Sequence, residues 1–174
     1  MPDNFVKKCF DELAKTEYIS YVPSSLSVDA IEDMQKKYNI VFPQIYMDFI
    51  SAYAHDITEL HGKLDNFLFE DDVDVVLQIP EQTKNQELQN IELLFESNRN
   101  LIDWGYLPVG IFDECYLLCL DLETGKVCLL DEEDYDACSS KADVEEQKLD
   151  VFHSLEEVLE CFFLKKRIYV PDEM

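Results

Sequence analysis

The sequence predicts one mixed domain in which helices pack over a central β-hairpin. Three observations carry this. Residues 115–130 hold two nearly continuous apolar runs, "CYLLCLDL" and "KVCLL", around an "ETG" turn. Apolar residues recur at helical spacing before and after that hairpin, the period of an amphipathic helix. No Gly–Ser linker or internal repeat divides the 174 residues, a length that suits one domain.

In chain order, residues 4–18 place Phe5, Cys9, Phe10 and Leu13 on one helical stripe, with Cys9 as a small buried hydrophobe. A second helix follows in "SLSVDAIEDMQKKYN", capped by Ser27 and stopped at Asn39. Its acids precede Lys36 and Lys37, the order that the helix dipole favours. Pro43 suits the first turn of a third helix, whose apolar face is Ile45, Tyr46, Phe49, Ile50 and Tyr53. His55 and His61 then read as loop or capping residues.

Phe67–Phe69 reads as a short strand, followed by an acidic helix start or turn at Glu70, Asp71, Asp72 and Asp74. No glycine or closing glutamate stands where a calcium loop needs it. Residues 85–101 show one more amphipathic pattern through Leu88, Ile91, Leu94 and Phe95. "YLPVGIF" is a strand whose Pro108 fits an edge or a first position. The hairpin itself is apolar on both arms, so helices should cover both of its faces. Gly125 supplies the turn's positive φ. Cys115, Leu117 and Cys119 fall on one face by parity. A slip of one residue would move Cys128 between faces, so the sequence leaves its face open. "DEEDYDACSSKADVEEQKLD" reads as an exposed acidic loop, and a helix capped by Ser154 with Glu157 three residues on closes the chain.

Composition bounds the function. The 47% hydrophobic content supports a real core. With 38 acids against 14 bases the net charge is −24, too few cations for nucleic acid or anionic membranes. On charge alone an acidic surface is read first as plain solubility, and second as a surface for fast encounter with a basic protein. No apolar leader or membrane-length run is visible, so a cytoplasmic protein with reduced thiols is expected. Only four glycines occur and no phosphate or dinucleotide motif; no cofactor is expected. The six cysteines form no CxxC pair, so their spacing supports no zinc site. Cys115, Cys119 and Cys128 are placed in apolar strands without a neighbouring base, which argues against nucleophilic catalysis. His153 stands beside the Ser154 cap rather than in a catalytic pattern.

Four segments, in order, resemble the SUKH superfamily, the Smi-Knr-type domain abundant among bacterial toxin-immunity proteins. They are Ala30–Tyr53, with Phe42, Pro43, Tyr46, Phe49 and Ile50 on the family's "lP..Y..Fl" pattern; "GYLPVGIF"; the hairpin, through Cys119, Leu120, Asp121, Gly125, Val127 and Asp131; and "HSLEEVLECF". The resemblance covers roughly residues 28–164, leaving 1–27 as an N-terminal helix and turn and 165–174 as a tail. This chain has "AHD" and "IFDE" where the family often carries glycine-rich turns, and Glu132 or Glu133 where it often carries His. The resemblance implies an α+β domain with a mostly antiparallel sheet flanked by helices. It also implies a non-enzymatic immunity role, binding a cognate toxin domain such as a basic nuclease or deaminase. Residues 67–164 carry 25 acids and 5 bases, or −20 of the total charge. The expected partner surface is therefore Asp131, Glu132, Glu133, Asp134 and Asp136, with Asp113 and Glu114. A regulatory scaffold of the same fold is the alternative, and a small hydrolase or metal-dependent enzyme the third reading.

Overall fold

A computed structural model describes residues 4–16, 22–23, 27–54, 59–65, 72–77 and 89–169. Helix α1 (Asn4–Thr16) precedes the two-residue strand β1 (Val22–Pro23) and α2 (Val28–Tyr38). Next come α3 (Gln44–Ala52), β2 (Tyr53–Ala54), β3 (Glu59–Asp65) and β4 (Asp72–Leu77). Helices α4 (Gln89–Ser97) and α5 (Arg99–Asp103) lead into β5 (Tyr106–Phe112), β6 (Tyr116–Asp121) and β7 (Val127–Asp131). The short helices α6 (Glu132–Asp136) and α7 (Lys141–Gln147), β8 (Leu149–Phe152), α8 (Leu155–Phe162) and β9 (Ile168–Tyr169) complete it.

The fold is α+β. Strands β8-β7-β6-β5-β4-β3 form an antiparallel sheet in that order, and β9 adds two residues parallel to β3. Strands β1 and β2 pair separately. The hairpin is central and covered on both sides. Leu118, Leu120, Val127 and Leu129 enter the main core with α1, α3 and α8. Leu117, Cys119, Cys128 and Leu130 face a second cluster with Leu101, Tyr106 and Val144.

Local chemistry explains the helices. Ser27 caps α2 by accepting the Ala30 amide at 3.1 Å, and Asn39 ends it at φ 52°, a conformation asparagine tolerates. Pro43 sits one residue before α3, its carbonyl accepting the Tyr46 and Met47 amides. Phe10, Phe49 and Phe163 tie α1, α3 and the end of α8 together, with ring centroids 5.0–6.2 Å apart. Phe112, Phe152 and Phe162, each 6.3 Å from the others, join that layer to the sheet. Helix α8 lies so close on β3 that a Cβ on Gly62 would sit 2.8 Å from Cys161 and Phe162.

Several expectations need correction. Pro108 lies in β5, an interior strand, and is accommodated by a bulge between Pro108 and Gly110, which absorbs the ladder bond that proline cannot donate. Asp72 and Asp74 begin β4 rather than a helix or turn, because Val73, Val75 and Leu77 alternate into the core. His61 lies within β3, not in a loop. The 85–101 pattern is broken at Asn98 into α4 and α5. Its first residues, like His55, the Phe67–Phe69 strand, Glu70 and Asp71, lie outside the described residues. The acidic segment after β7 is helical, not an irregular loop: Asp131 caps α6 and Ser140 caps α7.

Candidate functional site

The hairpin register decides what meets at the end of the sheet. Cys119 pairs with Cys128 and Tyr116 with Asp131, so Cys128 joins Cys119 on the smaller core's face. One step further, the Glu132 amide reaches the Cys115 carbonyl at 3.4 Å. The β5–β6 turn, Asp113 to Cys115, is thereby brought beside the start of α6. That turn is tight, with Asp113 at φ 49° and Glu114 at φ 66°. It is anchored to β4 by the Asp113 amide donating to the Asp74 carbonyl at 2.7 Å.

The expected acids therefore converge from two chain segments. Burial raises the Cys115 thiol pKa, and the fields of Asp113, Asp131, Glu132 and Glu114 add to it. The neighbouring Tyr116 is raised by burial and then by Cys115, Asp131, Asp113 and Asp134. Glu133 is exposed on the same short helix, where its amide donates to the Asp131 carboxylate at 2.9 Å. Asp136, at the far end of α6, acts on Tyr135 rather than on Cys115. Tyr135 and Cys138 pack against the smaller core, which fixes α6 to β7 and leaves Glu132, Glu133, Asp134 and Asp136 exposed.

Sequence parity misplaced Cys115: it is an exposed turn residue, not a strand residue, because β6 begins at Tyr116. It also passed over Tyr116 and Asp74 as members of this end of the sheet. Asp74 binds the His61 ring nitrogen Nδ1. The signal was available in the alternation of β4, where Asp74 falls between two buried valines.

A second polar group was not foreseen. Lys148, only 14% exposed at its side chain, lies 3.0 Å from Asp150, 3.9 Å from Asp121 and 5.8 Å from the Tyr106 ring centroid. Burial opposes the Lys148 charge, yet its carboxylate partners leave its pKa raised. Asp121 is in turn held by the Glu123 and Thr124 amides. This cluster is internally paired and ties β8 to the hairpin turn.

The thiols there are not activated. Burial pushes Cys128 up to about 12 despite the opposing field of Lys148, and it raises Cys119 well above its usual value. A nucleophilic cysteine needs the opposite shift. Among the described residues, no three His, Cys, Asp or Glu side chains are grouped to hold a metal ion. No described helix is long and apolar enough to cross a membrane. His153 lies 3.2 Å from Glu157 beside the α8 cap.

A family model described as the SMI1 / KNR4 family (SUKH-1) matches residues 25–161. A search of curated proteins finds no match.

Proposed function

This chain belongs to the SMI1 / KNR4 family (SUKH-1), and on that premise we propose that it is a non-enzymatic immunity-type protein. It binds and neutralises a basic toxin domain, of nuclease or deaminase type, in the cytoplasm. Family membership supports the general role. The observation that supports the surface is the convergence of Asp113, Glu114, Asp131, Glu132 and Asp134 around Cys115 and Tyr116, with Glu133 and Asp136 exposed nearby.

A rigid acidic end of a sheet presents to a phosphate-binding protein what its substrate presents. Such complementarity accelerates encounter more than it raises final affinity. The two segments are fixed by strand register and by the α6 cap, so little ordering is needed on binding. The raised pKa of Cys115, Cys119, Cys128 and Cys138 supports binding rather than thiol chemistry as the role of this family member.

The test is co-expression with the toxin domain encoded by a neighbouring gene, followed by association kinetics across a salt series. The variant combines Asp131→Asn, Glu132→Gln, Glu133→Gln, Asp134→Asn and Asp136→Asn. Asparagine at 131 retains the helix cap, so charge changes without loss of fold. The on-rate at low salt should fall by about tenfold or more, and its salt dependence should flatten. Unchanged affinity, on-rate and salt dependence would remove this surface from the interface.

A further inference from the structure

Among the described residues, the large hydrophobic side chains left exposed are Val28 at 71%, Val41 at 82% and Leu93 at 69%. Two of the three bracket one helix. Val28 opens α2 and Val41 follows its end, and between them the exposed stripe carries Glu32 and Lys36, one turn apart. Glu32, Gln35, Lys36, Asn39, Ile40 and Val41 line one shallow concavity.

The exposure of Val41 is built in. The Gln35 carbonyl accepts the Ile40 amide at 3.0 Å, and its side-chain Oε1 accepts the Phe42 amide at 2.8 Å. With Asn39 in the left-handed region and Phe42 fully buried, the turn is held with Val41 pointing outward. The helix is held as well: Lys37 bonds Glu92 and Glu96 of α4, and Tyr38 donates to Glu96 at 2.6 Å. Lys37 is thus engaged, whereas Glu32 and Lys36 form no ion pair with any described residue.

We propose that this stripe pairs with the same stripe of a second copy of the chain, antiparallel about a two-fold axis between Glu32 and Lys36. The pattern is self-complementary, as a two-fold interface requires. At 1.5 Å of rise per residue, Val28 lies about 9 Å from the axis on one side and the Ile40–Val41 turn a similar distance on the other. Each Val28 then covers the partner's Ile40–Val41 turn, while each Glu32 faces the partner's Lys36. The local charge permits the approach: α2 has three acids and two bases, whereas −20 of the chain's charge lies in residues 67–164. The stripe is only about 16 Å long, so the contact falls below the size of stable interfaces and the association is a weak one.

The test is sedimentation equilibrium up to about 0.3 mM protein, where small interfaces associate. Salt of about 0.15 M screens the net charge beyond roughly 8 Å and leaves contacting pairs intact. The unmodified chain should pass from monomer to dimer. Glu32→Lys and Lys36→Glu should each weaken dimerisation by about tenfold, because two-fold symmetry turns two attractive contacts repulsive. The double exchange should restore it to within about twofold, a recovery that misfolding cannot mimic, and Val41→Asp should abolish it. Circular dichroism confirms that each variant is folded. A chain that stays monomeric throughout, a dimer indifferent to the single reversals, or a double variant as weak as either single overturns the pairing. So does a monomer that instead loses another protein on the same substitutions.

Discussion

Replacing Gly110 with alanine tests the central sheet where backbones pass closest. A Cβ there would lie 2.3 Å from the Val76 carbonyl oxygen and 3.1 Å from the Leu77 Cα. Ordinary carbon–oxygen contacts begin near about 3.3 Å, so β4 and β5 must separate by about 1 Å. Their ladder spans the pairs Val75–Phe112, Val76–Ile111 and Leu77–Gly110. Such a separation carries ladder bonds beyond hydrogen-bond range. Two lost bonds at about 1 kcal/mol each, added to about 1–3 kcal/mol for overpacking, give about 3–5 kcal/mol. Gly125→Ala is the control: its φ is 78°, but nothing lies within 4 Å of the added Cβ, so only left-handed strain of about 1–2 kcal/mol applies. Urea unfolding followed by circular dichroism and by Trp104, the single tryptophan, measures both. At about 2–4 °C per kcal/mol for this size, Gly110→Ala should also melt at least about 6 °C lower. A cost below about 1 kcal/mol, or below that of Gly125→Ala, would refute the close approach. The acidic turn shares this ladder through the Asp113–Asp74 bond, so its geometry should degrade with the sheet.

Other outcomes follow from the same contacts. In the native protein a thiol reagent should modify Cys115 first and the half-buried Cys138 more slowly. Cys9, Cys119, Cys128 and Cys161, all buried, should react only after unfolding. Because the surrounding acids raise the Cys115 pKa, salt or neutralisation of Asp113, Glu114, Asp131 and Glu132 should speed its modification at neutral pH; no change would separate it from their field. Tyr38→Phe removes the hydroxyl bond to Glu96 but keeps the ring between Lys37 and Arg99, at a cost of about 1 kcal/mol by urea unfolding. Ser154→Ala removes the α8 cap to the Glu157 amide, also costing about 1 kcal/mol. Alkali should weaken the fold: burial raises Cys128 from 9.0 to about 12 and Tyr38 from 10.0 to about 12. The unfolded chain then loses these protons first, and stability present below about pH 9 declines toward pH 12. A flat stability profile across that window would contradict the burial of both groups.

What the sequence disclosed was what local chemistry determines. Ser27, Asn39, Gly125 and Ser154 each carry out the capping or turn role their side chains allow. The two apolar hairpin arms proved buried on both faces, as their composition requires. Less legible was anything set by pairing over long range. Pro108 sits in an interior strand only because the adjoining bulge, between Pro108 and Gly110, absorbs the ladder bond it cannot donate. Asp74 resembles a helix start until β4 is seen alternating against the core. The acids at 113–114 and 131–134 are close in space because β5, β6 and β7 are consecutive neighbours. The sequence grouped them as one expected acidic surface without showing which pairing brings them together.

The location of that acidic end rests finally on Asp121. A hairpin apolar on one face has its register enforced, since a slip of one residue would turn its apolar side chains to water. Here both faces are buried, so a slipped register would still bury leucines, valines and cysteines. Polarity along β6 and β7 therefore cannot select the pairing, and the turn must. Asp121 accepts the Glu123 and Thr124 amides through its side chain and the Gly125 amide through its carbonyl, while its own amide donates to Lys126. Gly125 supplies the positive φ, and Lys148, between α7 and β8, holds the carboxylate. Slipping the strands would break this set and expose a buried carboxylate partner to no donor. Five positions along β6, the same register sets Tyr116 against Asp131, and just beyond the strand the Glu132 amide meets the Cys115 carbonyl. A buried aspartate at one end of the hairpin thus fixes which carboxylates meet at the other.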